Sequence, residues 1–317
     1  MSKCFPVRIA SVDCAASDVL RLELHAAGGG PLPAFSAGAH IDLHLANGLV
    51  RSYSLLNDPA ETHRYVVAVH RAPQSRGGSA YVHDQLRPGT VLDVTGPRNH
   101  FALDETAAHT VLIAGGIGIT PLYAMLQRLE SQRRSWQLYY CARTREHAAL
   151  RQELQRYGRQ AMFHFDQERE GKLLDLPAAI ASAPPGSHFY CCGPLPMLAA
   201  FEAATAHLPA HHVHVEYFRP KEPAPPSDAH AYLVRLARSD LQFRVGPDET
   251  ILDKLIELDV EIPYSCREGV CGSCEARVLE GVPEHRDQVL SQADREAGQS
   301  MMVCCSGCRG DLLVLDL

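Results

Sequence analysis

The sequence lacks several features that would place it in other functional classes. It has no uninterrupted apolar run near the roughly 18 residues that a membrane-spanning helix needs, so we expect no membrane insertion. It carries 30 basic and 37 acidic residues, and the resulting net charge of −7 disfavours nucleic acid as a partner. It also shows no Ser-His-Asp set and no paired-carboxylate constellation of the kinds that hydrolases use.

The first residues contain no apolar secretory core, so we expect the protein to stay in the cytoplasm. In that reducing compartment the eleven cysteines are expected to be thiols, not disulfides. At 317 residues the chain is too long for one small core and fits two or three domains. We expect it to act as a monomer.

Four cysteines near the C-terminus have the spacing of an iron–sulfur site. Cys266, Cys271 and Cys274 form a C-x₄-C-x₂-C run, and Cys304 follows after 29 intervening residues. This is the ligand pattern of a plant-type [2Fe–2S] cluster, in which one loop supplies three of the four thiolates. A structural zinc site is the alternative, but zinc ligands usually occur in paired short spacings that this run lacks.

The fourth ligand has to be chosen among three neighbouring cysteines, Cys304, Cys305 and Cys308. Cys304 ends a short apolar run, which is the expected place for a ligand presented from the end of a strand. Cys305 would then point to the opposite side, since successive strand residues alternate faces. Cys308 follows a glycine and is expected to be a free thiol. We therefore assign Cys304.

Hydrophobic patterning divides the chain into three regions and a linker. In residues 1–104, short alternating apolar stretches with Gly and Pro turns predict an antiparallel β-barrel. In residues 105–219, buried strands alternate with helical patterns, which predicts an α/β domain with a parallel sheet. Residues 220–229 are proline-rich and are typical of a semi-rigid linker. Residues 230–317 carry the cysteine loop. The predicted barrel strands include 20–24, 41–45, 65–69 and 91–94, with a hairpin turn at Asn47-Gly48.

Two short motifs in the predicted barrel suit a flavin. Arg51, Tyr53 and Ser54 follow one expected strand and offer a cation for a phosphate, a ring for the isoalloxazine and a donor near its N5 atom. The loop Gly77-Gly78-Ser79 precedes an apparent helix, where backbone N–H groups can bind phosphate. Each motif alone is more typical of an ordinary strand or turn, but together they favour a flavin site.

A glycine-rich turn follows the first buried strand of the predicted α/β domain. Gly115, Gly116 and Thr120 stand where a helix begins, which lets backbone approach a dinucleotide pyrophosphate. The run is not the G-x-G-x-x-G fingerprint, so the agreement is with the mechanism and not with the motif. Cys192-Gly193 ends a later strand of the same sheet, at the edge where ligands of open α/β folds bind.

The order of these motifs resembles a known family. R-x-Y-S, the Gly-Gly-Ser loop, G-G-I-G-I-T-P, C-G-P and a C-terminal plant-type ferredoxin sequence are arranged as in the phthalate dioxygenase reductases, which include vanillate O-demethylase reductases. The resemblance covers essentially the whole chain and implies a multidomain α+β protein with a C-terminal β-grasp ferredoxin domain. The residues that it implies are Arg51, Tyr53, Ser54 and Ser79 for FMN, and Gly116, Thr120, Cys192 and the aromatic Phe218 for the nicotinamide nucleotide.

The resemblance implies an NADH-dependent reductase that passes electrons from FMN to [2Fe–2S] and then to a Rieske-type oxygenase acting on an aromatic acid or methyl ether. Hydride transfer belongs to the cofactors, so no catalytic residue is assigned, and Ser54 and Cys192 are the nearest candidates. A stand-alone flavin or ferric reductase is an alternative that would not need four cysteine ligands. A general electron-transfer protein is another, and it would not need the glycine turns of a nucleotide site.

Two segments depart from the family pattern. The family reads C-S-R-A-K after the last ligand, whereas Cys305-Ser306-Gly307-Cys308-Arg309 stands here. Arg143 and Arg145 follow the second expected strand of the α/β domain, where a carboxylate would bind the NAD ribose, and the first carboxylate is Glu146. The family favours NADH, but two arginines could also bind a 2′-phosphate, so NADPH stays open.

Two further patterns each allow two interpretations. Residues 228–317 hold 17 acidic and 9 basic residues, which indicates either an ordinary solvated surface or a surface that attracts a basic partner. His211, His212 and His214 are spaced like metal ligands, but a strand leading into residues 216–218 is the favoured interpretation.

Overall fold

The computed structural model describes residues 4–221 and 230–317 and separates into two compact units. The N-terminal unit runs from Ser2 to Phe218, and the C-terminal unit from Arg219 to Leu317. Most of the linker expected at residues 220–229 lies outside the described residues. Each unit buries hydrophobic side chains of its own.

The first half of the N-terminal unit is an antiparallel sheet that closes on itself. Its strands are β1 (Cys4–Ala16), β2 (Val19–Ala26), β3 (His40–His44), β4 (Val50–Ser54), β5 (Tyr65–His70) and β6 (Val91–Arg98), with α1 (Gly78–Gln85) between β5 and β6. The strand order is β4-β3-β6-β1-β2-β5. The edge strands β4 and β5 meet where Leu55 and Val67 form an antiparallel bridge. The predicted antiparallel barrel is therefore confirmed.

Alternation of side chains explains how these strands enclose a core. In β2, Leu22 and Leu24 are fully buried, whereas Arg21 and Glu23 point outward and form ion pairs. The predicted turn at Asn47-Gly48 joins β3 to β4, and the φ of 80° at Gly48 is a conformation that glycine adopts readily.

The second half of the N-terminal unit is a parallel sheet flanked by helices. Its strands are β7 (His109–Gly115), β8 (Ser135–Ala142), β9 (Ala161–Phe165), β10 (His188–Cys192) and β11 (Val213–Glu216), and its helices are α2 (Ile119–Ser131), α3 (Arg151–Gln155), α4 (Leu176–Ala181) and α5 (Leu195–Thr205). The order β11-β10-β7-β8-β9 makes β7 and β10 neighbours at a topological switch point. Ile119 of α2 belongs to one hydrophobic cluster with Val66 and Ala68 of β5, so the barrel and the parallel sheet share a core.

The C-terminal unit is a small mixed sheet with two helices. Its elements are β12 (Tyr232–Leu236), β13 (Leu241–Val245), α6 (Ile251–Glu257), β14 (Glu275–Glu280), β15 (Pro283–Glu284), α7 (Gln292–Ala297), β16 (Ser300–Met302), β17 (Gly307–Cys308) and β18 (Leu312–Leu315). The main sheet has the order β13-β12-β18-β14-β16, with β12 and β18 parallel and the other neighbours antiparallel. This is the predicted β-grasp arrangement. No helix within residues 4–221 and 230–317 is long and apolar enough to cross a membrane.

Candidate cofactor sites

The four predicted cysteine ligands come together in the C-terminal unit. Cys266, Cys271 and Cys274 lie on the irregular loop between α6 and β14, and Cys304 lies two residues beyond β16. Cys271 is within hydrogen-bond reach of Cys266, Cys274 is within reach of Cys304, and Cys266 is also within reach of Cys304, so the four thiols converge. Cys266 is partly exposed, whereas the other three are buried. Four converging thiols suit a cluster of two irons, each held by two thiolates.

Backbone N–H groups of this loop point at sulfur. Glu268 N and Val270 N donate to Cys266 Sγ at 3.3 and 3.5 Å. Cys266 N donates to Cys271 Sγ at 3.5 Å. Gly269, between the first two ligands, has a φ of 69°, which lets the loop turn this tightly. Such N–H groups stabilise charge on sulfur and tune the potential of a cluster bound there.

The electrostatics of the four thiols also fit an iron cluster. Contact with Cys266 and burial raise the pKa of Cys271, and contact with Cys304 and burial raise the pKa of Cys274. Four thiolates this close would repel one another unless cations lay between them. The convergence of the four thiols, together with the C-x₄-C-x₂-C spacing of three of them, therefore fits a two-iron cluster better than the zinc alternative.

The other two late cysteines point elsewhere. Cys305 Sγ faces Met302 O at 3.8 Å and lies against Gly269 of the loop. Cys308 is buried in β17, where its Sγ donates to Leu312 O at 3.6 Å and accepts a bond from Gly310 N at 3.3 Å. The structure thus groups Cys304, and not Cys308, with the loop cysteines.

The two predicted flavin motifs are neighbours in the N-terminal unit. The Arg51 side chain extends from β4 across the backbone of Gly78, where an added Cβ would lie 2.6 Å from Arg51 Nε. Its guanidinium also donates to Arg76 O at 3.2 Å. β4 and the loop before α1 are therefore in direct contact, although they lie more than 20 residues apart in the sequence.

The start of α1 can bind an anion. Gly77 precedes the helix with a φ of 88° and offers no side-chain cap, while Ser75 Oγ accepts a bond from Ala80 N in the first turn at 3.3 Å. Ser79 Oγ accepts a bond from Ala72 N at 3.2 Å and donates to Ser75 Oγ at 3.1 Å. N–H groups at a helix start attract anions, and Arg51 adds a full positive charge nearby. These residues fit the phosphate of a flavin.

Tyr53 and Ser54 continue along β4 from Arg51. Ser54 is 6% exposed, and Tyr53 is half-buried. Burial raises the pKa of Tyr53 to about 12, so its ring stays neutral at ordinary pH. A neutral aromatic ring and a hydroxyl on one strand suit a planar heterocycle.

The predicted nucleotide turn lies at the switch point between β7 and β10. A Cβ added to Gly118 would lie 2.1 Å from Cys192 O, and one added to Gly115 would lie 2.6 Å from Pro194 Cδ. These glycines therefore let the two strand ends approach each other closely. Gly116 has a φ of 53°, and no described atom lies within 4 Å of the Cβ that it lacks. Its backbone borders open space, as close approach of a pyrophosphate requires.

The remaining predicted nucleotide residues differ in exposure. Thr120 is 2% exposed and donates to Ile117 O at 3.0 Å, so its hydroxyl supports the turn. Cys192 is fully buried, and burial raises the pKa of its thiol. Gly193 follows β10, and Phe218 is 39% exposed after β11. Direct contacts of these residues with a nucleotide stay a prediction.

Sequence reasoning missed two residues of this crevice. Gly118 stands in the glycine run, but only the structure shows that it faces Cys192 O. Glu216 ends β11 opposite Cys192, and its Oε2 is buried with no hydrogen-bond partner among the residues described. The residue as a whole is partly exposed, yet burial of the carboxyl raises its pKa to about 8. Its burial depends on strand pairing, which leaves no local signal in the sequence.

Of His211, His212 and His214, only His214 lies in the predicted strand β11, and the other two lie in the short 3₁₀ turn that precedes it. His214 lies in β11 and stacks on Tyr190 with ring centroids 4.1 Å apart. His188 Nδ1 lies 3.2 Å from His214 Nε2, and the ring of His212 packs 4.5 Å from that of His188. The cluster lies across β10 and β11, and the rings pack on one another.

Comparison with known proteins identifies both kinds of site. Residues 112–203 match the oxidoreductase NAD-binding domain, and residues 234–309 match the 2Fe-2S iron-sulfur cluster binding domain. Phenoxybenzoate dioxygenase subunit beta of Ectopseudomonas oleovorans is 53% identical over 98% of this chain and 97% of that protein. Tetrachlorobenzoquinone reductase of Sphingobium chlorophenolicum is 46% identical over 95% of this chain and 94% of that protein.

A solved structure extends this similarity to the fold. Phthalate dioxygenase reductase, described as a modular structure for electron transfer from pyridine nucleotides to [2Fe–2S], is 37% identical. The match has a TM-score of 0.73 and covers 99% of this chain and 98% of that one. Barrel, parallel sheet and cluster domain thus occur together in both proteins.

Proposed function

The chain belongs to the phthalate dioxygenase reductase family, and from this membership we propose that it is the NADH-dependent reductase component of a Rieske-type oxygenase that acts on an aromatic compound. It is an oxidoreductase with an NAD-binding domain and a [2Fe–2S]-binding domain. One observation carries the proposal: a nucleotide crevice and a site of four cysteines occur in one chain. A nucleotide yields electrons in pairs, whereas a [2Fe–2S] centre releases them singly.

We assign roles to the residues of the N-terminal unit on this basis. Arg51, Ser79 and the start of α1 would hold the phosphate of FMN, and Tyr53 and Ser54 would contact its ring. The nucleotide residues would be Gly115, Gly116, Thr120, Cys192, Gly193 and Phe218. Bound flavin supplies the conversion of a hydride into single electrons, while the protein positions the reactants and excludes water.

The proposed domains have the boundaries expected from the sequence. They are a flavin barrel at 1–104, a nucleotide domain at 105–219, a linker at 220–229 and a ferredoxin domain at 230–317. We place the chain in the cytoplasm, because thiolate ligands need a reducing compartment. We further propose that it is a monomer. Gel filtration at micromolar concentration tests the monomer, and elution at twice the chain mass of 34.8 kDa would contradict it.

The acceptor is proposed from the relatives and from charge. The name of one relative refers to a dioxygenase, and that of another to a chlorinated benzoquinone. The acidic excess of residues 228–317 favours a protein acceptor with a basic docking surface, because unlike charges speed encounter. A small quinone would need no such surface.

The test uses a purified Rieske-type oxygenase as the electron acceptor. We expect NADH to reduce that oxygenase through the purified protein, and the transfer to slow as salt rises toward about 0.5 M, where surface charges are strongly screened. Reduction of the flavin by NADH should change little over the same range. Rapid turnover with quinones and none with the oxygenase would favour the alternative of a stand-alone reductase.

A further inference from the structure

A turn outside the ligand set packs directly on the cysteine loop. We call residues 285–290, between β15 and α7, the support turn. A Cβ added to Gly269 of the loop would lie 2.9 Å from the Cα of Asp287, so the two segments touch backbone to backbone. Gly269 stands midway between Cys266 and Cys271, and whatever fixes Gly269 therefore fixes the loop between two ligands.

A single peptide group links the support turn to a ligand sulfur. Gln288 N donates to Gly269 O at 2.8 Å. The N–H on the other side of that peptide plane belongs to Val270 and points at Cys266 Sγ at 3.5 Å. Because a trans peptide is planar, holding its C=O also fixes the direction of its N–H. The bond from Gln288 thus orients an N–H toward the sulfur and polarises it.

Asp287 holds the support turn in shape. Its side chain is fully buried, and its Oδ2 accepts bonds from Val289 N at 2.9 Å and Leu290 N at 2.8 Å. Arg295 Nη2 donates to the backbone oxygen of Asp287 at 2.6 Å. These bonds set the path of the chain through Gln288, and with it the direction of the Gln288 N–H.

We propose that Asp287 is a positioning residue that acts through Gln288 and the 269–270 peptide to raise the reduction potential of the cluster. A reduced cluster carries one more negative charge than an oxidised one, and an N–H aimed at a ligand sulfur stabilises that charge. Loss of the turn lets the peptide rotate away, and the cluster then becomes harder to reduce. The inference rests on the proposed function only in requiring that the four cysteines bind [2Fe–2S].

The test is the potential of the cluster in the full-length protein, measured by redox titration followed by absorption and electron paramagnetic resonance. Asp287→Ala should make reduction about tenfold less favourable, which is about 59 mV lower for a one-electron couple. Asp287→Asn keeps an oxygen that can accept both N–H groups, and its potential should stay near that of the unchanged protein. A rise in potential in Asp287→Asn would show that the buried charge matters instead of positioning, and would overturn the proposal.

Asp294→Ala is the matched control, since Asp294 belongs to the exposed capping box of α7 with Ser291. It should lower the midpoint temperature of thermal unfolding without moving the potential. Equal shifts in Asp287→Ala and Asp294→Ala, or none in either, would overturn the proposal.

If Asp287→Ala assembles no cluster, Asp287→Ser retains one acceptor oxygen and should show a smaller downward shift of the potential. An unchanged potential in Asp287→Ser contradicts the proposal. Absence of a cluster from the unchanged protein would instead contradict the proposed function.

Discussion

The two units build their sites in opposite ways. In the C-terminal unit, three of the four ligands lie within the nine residues 266–274 of one loop. In the N-terminal unit, the site elements stretch from Arg51 in β4 to Phe218 after β11, and sheet order brings them together. The loop site depends on the identity of single side chains. The crevice depends on the absence of side chains, because glycines allow its strand ends to meet.

The largest expected effect comes from removing one ligand of the loop. Cys271→Ser should abolish the cluster absorption, because an iron loses one of its two thiolates. Activity from NADH to ferricyanide should remain, since the N-terminal unit can reduce that acceptor directly. Cys308→Ser is the control and should keep the cluster, because Cys308 bonds to Leu312 O in β17. Loss of the cluster in the control would reopen the assignment of the fourth ligand.

The second largest expected effect is on flavin binding alone. Arg51→Ala should weaken flavin binding by about 1.5–3 kcal/mol, since it removes a charged partner of the phosphate. Equilibrium dialysis of the purified protein measures flavin binding. The flavin extracted from the unchanged protein should be FMN. The exposed Arg8 of β1, changed to alanine, should leave flavin binding as it was. An adenylated flavin in the extract would contradict the FMN assignment.

Crowding the crevice should destabilise only the N-terminal unit. Gly118→Ala places a Cβ 2.1 Å from Cys192 O and should cost about 1–3 kcal/mol of unfolding free energy. Gly28→Ala is the matched control, because no described atom lies within 4 Å of its added Cβ. Thermal unfolding followed by flavin release reports the effect. Similar stability in the two variants would refute the close approach of β7 and β10.

A smaller effect on the free energy of unfolding is expected at acid pH. Burial, followed by the neighbouring His188, lowers the pKa of His214 to about 4, from an ordinary value of 6.5. The unfolded chain then binds more protons at this site, so stability falls as pH drops from about 6.5 toward 4. Between pH 7 and 5 the loss should be on the order of 1–2 kcal/mol. His214→Phe keeps the stacking on Tyr190 and should flatten this slope, whereas the exposed His207→Phe should not.

The contrast between a local loop and a crevice assembled from distant strands explains which features could be predicted from the sequence. Ligand spacing is local, so the cluster loop was predicted residue by residue from Cys266 onward. The longest strand, β1, was not predicted, because only Val7 and Ile9 of its 13 residues are buried and its alternation is short. The roles of Gly118 and Glu216 depend on which strands become neighbours. A pattern along the chain does not contain that information.

The central claim is that nucleotide oxidation occurs in the N-terminal unit and single-electron delivery in the C-terminal unit, in that order. The most direct measurement mixes the anaerobic protein rapidly with NADH and follows flavin and cluster absorption separately. We predict that the flavin is reduced first and the cluster afterwards, and that Cys271→Ser shows only the first phase and cannot reduce the oxygenase. Reduction of the cluster by NADH in flavin-free protein, or reduction of the oxygenase by Cys271→Ser at the unchanged rate, would contradict the account.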